Sequence, residues 1–156
     1  MIEPEVAALF EGPSSLIVGT ADAHAHPEAI RAFGAQVVAD DRLRILLAAN
    51  AHTTLANIAG GSAIAITATD IATNASVQVK GRAAPVEAET AADRMRHERY
   101  IAGFFGVINE SDGTPLELLQ RLKPPGSLVA LEVSVEEQFD QTPGPAAGRS
   151  LLPAGT

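Results

Sequence analysis

The 156-residue chain has no cysteine and no tryptophan, one tyrosine, and only 4% aromatic residues. The missing cysteine excludes a disulfide framework, a thiolate zinc site and a thiol nucleophile. Basic runs are missing too, with 11 Lys+Arg against 19 Asp+Glu and a formal net charge of -8. That balance excludes a general phosphate-backbone binder, so no nucleic-acid partner is expected. The apolar stretches are short and broken by Gly, Thr and Asn, so no membrane span is expected. Met1-Ile2-Glu3-Pro4-Glu5 carries acid where a secretory signal carries base, and the expected location is cytoplasmic. What is present, 46% hydrophobic and 19% charged residues, suits a single globular domain.

Along the chain, Val6, Leu9 and Phe10 form an apolar stripe after Pro4 and before Gly12, which reads as a short opening helix. Ser15 to Thr20 is β-prone, Asp22 to Pro27 is turn-like, and Glu28 to about Ala39 reads as one extended segment. Asp40-Asp41-Arg42 turns into Leu43–Ala48, so two successive hairpins predict an antiparallel sheet. His52–Ala59 carries Leu55 and Ile58 at helical spacing and stops at Gly60-Gly61. Ala63–Thr69 and Ser76–Val86 alternate as strands, and Thr90 to about Asn109 turns helical. Thr114-Pro-Leu-Glu117 reads as a capping box that opens a helix through Leu122 and closes at Lys123-Pro-Pro-Gly126. Ser127–Val135 alternates as a sixth strand. The expected domain spans residues 1–140, and the Pro/Gly-rich tail 141–156 should lack regular structure. Five short strands, a helical insert and one returning strand fit a small antiparallel barrel, because two of the links are too short for parallel crossovers.

From Ile45 to Val79 the only charged residue is Asp70. A half-exposed antiparallel sheet normally shows charge on its outer face. Either the outer surface is built from small residues and hydroxyls, or a partner subunit covers it; the second reading is preferred.

The catalytic menu is short. No Gly-x-Ser-x-Gly elbow occurs, and Gly60-Gly-Ser62 continues with Ala, which excludes a P-loop. His24 and His26, near Asp22 and Glu28, form the only close histidine pair. Their default reading is a solvated turn, and no metal is expected. Arg31 is more informative, since a guanidinium inside an apolar strand must reach water, an acid or an anionic ligand. Thr53 and Thr54 open a helix and offer hydroxyls beside free N–H groups, which serve equally for a phosphate or for N-capping. Gln78 and Lys80 share a strand face, toward either a ligand or solvent.

Thr20-Ala-Asp22 through Pro27, Arg31-Ala-Phe-Gly34, Thr53-Thr-Leu-Ala-Asn57, Val77-Gln-Val-Lys-Gly-Arg82 and Phe139-Asp-Gln-Thr-Pro-Gly-Pro145 occur in that order. Together they resemble the pyridoxamine 5'-phosphate oxidase-like family of FMN-binding split barrels. The resemblance implies a mainly β fold, a six-stranded antiparallel split β-barrel with Greek-key topology and flanking helices. It implies a homodimer with FMN in two grooves at the interface. It places Arg31 at the flavin phosphate, Ala32, Phe33 and Gly34 along the isoalloxazine ring, and Thr53 and Thr54 beside the phosphate. Ser76 falls near a glutamine position that reaches the flavin across the interface, Gln78 lies on the same strand face, and His52 comes within reach of the groove.

Two departures stand out. Gln36 replaces a second phosphate-binding lysine, and the basic, tryptophan-containing C-terminal segment of the true oxidases is missing. The resemblance therefore implies a flavoprotein relative outside vitamin B6 oxidation, acting as an oxidoreductase on a small-molecule substrate. The alternatives are a non-catalytic flavin-binding or stress-related protein, or a split barrel that holds haem or a deazaflavin.

Overall fold

The computed structural model describes residues 1–124 and 126–151. Helix α1 (Pro4–Glu11) precedes strand β1 (Ser15–Ala21), which pairs antiparallel with β2 (Pro27–Arg31). The turn between them is closed by Asp22, whose carboxylate accepts the N–H groups of His24 and His26 at 2.8 and 2.9 Å.

The expected single strand from Glu28 to Ala39 is bent. After β2, residues Ala32-Phe33-Gly34 intervene before β3 (Ala35–Ala39), which pairs with β4 (Arg42–Ala48). The hydrogen bonds give the reason. Ala32 N–H still donates to Leu16 in β1, whereas Phe33 N–H donates to Leu46 in β4 and Gly34 C=O accepts from Leu46. The chain leaves one edge of the sheet and joins the other within two residues. Gly34 takes φ +148, and a Cβ there would lie 3.2 Å from Leu46 Cδ1, so only glycine makes this crossing without strain.

Helix α2 (His52–Ala59) then leads to β5 (Ala63–Thr69) and β6 (Ser76–Ala83), followed by a two-residue strand β7 (Glu87–Ala88). Helix α3 (Ala91–Asp112) and the short α4 (Leu116–Leu119) precede the last strand, β8 (Leu128–Asp140). The strand order is β2-β1-β5-β6-β8-β4-β3, with β7 beside β8. Both edges of that path belong to the same bent segment. The fold is therefore a predominantly antiparallel split barrel with flanking helices. With β2 and β3 counted as one strand and β7 set aside, it has the six strands expected. Strand β5 returns beside β1 after three consecutively paired strands, a Greek-key path.

Three expectations need correction. Strand β6 ends at Ala83, not Val86. Strand β8 runs to Asp140, past the expected end at Val135, because its far half pairs with β6 after its near half has paired with β4. A bulge at Lys80/Gly81 permits this, and a Cβ at Gly81 would lie 1.8 Å from Ser134 O. The capping box at Thr114 does not form: α4 has no side-chain cap, and the Thr114 N–H is taken by Asp112 at 2.8 Å. The box stands instead at Thr90–Asp93, opening α3.

The barrel interior is filled by Leu16, Val18, Leu43, Ile45, Ile66, Val79 and Val133, all fully buried, and α1 adds Val6 and Phe10. Each such side chain contributes about 1.5–3 kcal/mol. The one large polar group in this layer is Gln138, whose Nε2 donates to Met1 O at 2.8 Å while its Oε1 accepts from Glu3 N–H at 2.9 Å. Beyond β8 the chain turns back, and Ser150 bridges to Phe139. The part of the expected tail from residue 152 on lies outside the described residues.

Candidate cofactor site

Strand alternation decides what faces outward. Leu16, Val18 and Thr20 point into the barrel, so Ile17 and its partner Arg31 lie on the outer face. Register continues that row through Thr67 and Gln78 to Phe139. With strands about 4.8 Å apart, Arg31 and Gln78 stand roughly 14 Å from each other.

Arg31 ends β2 just before the bend. Its guanidinium carbon lies 5.1 Å from the centroid of the Phe104 ring, and its Nη1 is buried with no hydrogen-bond partner. No carboxylate among the described residues forms an ion pair with it. Ala32, Phe33 and Gly34 follow as buried residues. Their backbone is held in the ladder bonds described above and, at the Phe33 carbonyl, by His97 Nδ1 at 2.9 Å. Since a carbonyl only accepts, Nδ1 carries the proton there.

Helix α2 begins close to this bend, because only Ala49-Asn50-Ala51 separates it from β4, whose Leu46 pairs with Phe33. Its N-cap is Ala51, with no side-chain cap. The first-turn N–H groups of such a helix carry partial positive charge. His52 and Thr53 are exposed, whereas Thr54 is 1% exposed and its Oγ1 has no partner. Arg31 Nη1 and Thr54 Oγ1 are the two buried side-chain polar atoms without partners among the described residues. Such groups each cost about 1–3 kcal/mol unless something satisfies them.

The other expected residues are occupied. The Ser76 hydroxyl pairs with Thr69 Oγ1 at 2.8 Å, and its N–H donates to Thr142 Oγ1 at 3.0 Å. Gln78 Nε2 donates to Thr67 Oγ1 at 3.0 Å. Within one subunit, then, α2 packs against β1 and against β2, the strand that Arg31 ends, while Ser76 and Gln78 lie across the sheet. The trough on this outer face, about 920 Å3, has a floor that includes Gly19, Ala29 and Ala65, with Lys80, Arg82 and Glu137 on its sides. Small residues and hydroxyls thus account for part of the uncharged stretch.

Sequence reasoning missed the contribution of α3. Tyr100, Phe104 and His97 read as part of a helical pattern, and the available signal was the lone tyrosine four residues before a phenylalanine. Tyr100 OH donates to Ser14 O at 2.8 Å. Burial is the main cause that pushes its hydroxyl up to about 12, outweighing the nearby Arg31 charge.

Nearby, Asp93 is 1% exposed and receives Arg44 Nε and Nη2 at 2.9 and 2.7 Å and Arg96 Nη1 at 3.1 Å. The Arg44 side-chain bond holds the Asp93 carboxyl well below the usual carboxylate range, and the Asp93 carboxylate in turn raises Arg44. Arg96 also donates to Gln36 Oε1, so Gln36 is committed to α3. At the histidine turn, His26 Nδ1 pairs with Asp22 at 2.9 Å, and the His26 backbone N–H is the largest cause lowering the Asp22 carboxyl. Among the described residues no group of three or more side chains could hold a metal ion.

The sequence profile described as pyridoxamine 5'-phosphate oxidase matches residues 2–141. The chain belongs to that family. Among solved structures, HupZ of Group A Streptococcus is 20% identical with a TM-score of 0.58, covering 95% of this chain and 100% of its own. A pyridoxamine 5'-phosphate oxidase candidate from Lactobacillus delbrueckii is 19% identical with a TM-score of 0.56, covering 88% of this chain and 92% of its own. HutZ, the heme storage protein of Vibrio cholerae, is 16% identical with a TM-score of 0.50, covering 89% and 94%. These likenesses establish the fold. No curated protein sequence matches the chain. No helix among the described residues is long and apolar enough to cross a membrane.

Proposed function

We propose that this family member binds FMN at the bend between β2 and β3, with Arg31 as the anchor of the phosphate. The observation that carries the reading is the buried, unpartnered Arg31 Nη1. A phosphate oxygen satisfies that donor, the Thr54 hydroxyl supplies a second contact, and the uncapped start of α2 adds N–H groups. Ala32 to Gly34 present backbone to the ring system, while Thr53 and His52 line the solvent side. Because only one guanidinium serves the phosphate, affinity is modest. Gln36, tied to Arg96, adds no cation, and the reading stays outside vitamin B6 oxidation.

The proposal includes a homodimer. Gln78 stands three strands across the sheet from Arg31, and the family resemblance sets that strand face against the flavin of the partner subunit. Thr67→Glu, a change at the centre of that half-exposed row, should convert the dimer to monomer in sedimentation without unfolding the barrel. Ile66 and Val79 point inward and are fully buried, so charges there would strike the core.

A bound flavin supplies hydride transfer at its N5, and this chain's part is to bind, orient and exclude water. Tyr100 donates its hydroxyl hydrogen bond to the Ser14 carbonyl and serves as an anchor within the fold. The expected reaction is oxidation or reduction of a small molecule stacked on the open ring face. The absorption spectrum of the purified protein tests the cofactor. Flavin bands and FMN-dependent oxidation of NAD(P)H support the reading, bands without turnover leave a flavin-binding protein, and a Soret band overturns the flavin in favour of haem, as in HutZ.

A further inference from the structure

We infer that Phe104 is a positioning residue for the cofactor phosphate: its ring carries the Arg31 guanidinium and thereby leaves Nη1 free to bind. The inference rests on the phosphate reading of Arg31 given above.

A guanidinium with a buried, unpartnered nitrogen needs a counterpart. A carboxylate would supply one, but it would take up N–H donors and hold them away from a ligand. An aromatic face attracts the cation through its quadrupole and accepts none of the N–H bonds. Phe104 offers that face at 5.1 Å. The ring is fixed in turn, being 4% exposed and stacked on Tyr100 with centroids 5.6 Å apart and planes 10° apart. Tyr100 is anchored through its hydroxyl to Ser14 O, immediately ahead of β1.

One turn earlier on α3, His97 donates to the Phe33 carbonyl and meets the Phe33 ring edge-on, with centroids 6.1 Å apart. Residues 97, 100 and 104 are spaced three and four apart, so they occupy one face of the helix. That face touches Phe33, Ser14 and Arg31 in order. Helix α3 is a splint along the bent segment, and Phe104 is its contact with the charge.

The experiment compares FMN and riboflavin titrations of the full chain carrying Phe104→Leu, Phe104→Met or Phe104→Tyr, with Arg31→Ala alongside. Circular dichroism and urea unfolding establish that each variant is folded, and Met stands in if Leu is not. Loss of the ring should weaken FMN binding about fivefold, given the strength of a partly exposed cation–π pair. Riboflavin, which lacks the phosphate, should bind unchanged, and Phe104→Tyr should restore FMN affinity. Equal loss for both flavins would make Phe104 merely structural and overturn the inference. So would unchanged FMN affinity in Phe104→Leu or Phe104→Met beside a weakened Arg31→Ala. If Arg31→Ala itself binds FMN as tightly as the parent, the phosphate reading falls first and the inference with it.

Discussion

Two strand arginines sit on either side of the bend, both half-buried, and they end in opposite conditions. Arg44 on β4 has its guanidinium engaged by Asp93 and Glu87, and Asp93 in turn holds Arg96 and caps α3 through Thr90. Arg31 on β2 has an aromatic ring and one donor with nothing to bind. The first arrangement is closed: every charge has its complement, so it fastens a helix to a sheet and does no more. The second leaves one buried donor unpartnered, the donor that the proposed phosphate would satisfy. Satisfaction of donors, more than burial or charge, is what distinguishes the two arginines.

Breaking the closed cluster should cost most. Asp93→Asn leaves Arg44 and Arg96 facing a neutral group, and the urea midpoint should fall by the equivalent of about 3 kcal/mol. The same variant tests the pH dependence. Asp93 titrates below its unfolded value, so its contribution is fully present above about pH 4 and is lost as the pH falls through the acid range. The parent should therefore lose stability in acid more steeply than Asp93→Asn.

The open arginine should behave in reverse. Arg31→Ala should leave unfolding nearly unchanged but weaken FMN by roughly thirtyfold, or about 2 kcal/mol, with riboflavin unaffected. Equal effects on both flavins would erase the distinction drawn between the two arginines. Thr54→Val should sharpen it. Removing an unsatisfied buried hydroxyl should raise stability by up to about 1 kcal/mol while FMN affinity falls a few-fold. A stability loss instead would show that the hydroxyl has a partner inside the protein.

Tyr100, the only tyrosine in the chain, gives a test confined to alkaline pH. Tyrosinate absorbance should appear near its ordinary value of about 10 in urea and only toward about 12 in the folded protein. Stability should therefore be intact below about pH 10 and decline above it.

Much of the barrel was legible because alternation is a local signal: Ile64, Ile66 and Ala68 announce one face of a strand without reference to anything distant. The bend was not legible. Only Gly34 interrupts the extended pattern of Ala29 to Ala39, and the break is placed there because Leu16 and Leu46, thirty residues apart, claim successive backbone groups. The two Thr-x-x-acid patterns show the same limit. Thr90 and Thr114 look alike in sequence, but Asp112 takes the second and leaves only the first as a cap. Arg31 stood out as the charge inside the apolar run Ala29–Ala35, whereas its ring partner was invisible because contact between residues 31 and 104 depends on how α3 lies on the barrel.

Gln138 has a consequence for the order in which the protein can be made. It binds Met1 and Glu3 from 137 and 135 positions away. During synthesis the segment ahead of α1 emerges well before β8, so its polar backbone has no place to dock until β8 has left the ribosome. Contacts of such long sequence separation form late. Met1 to Glu3 are thus late to become native, and the buried amide acts as a latch closed only by β8.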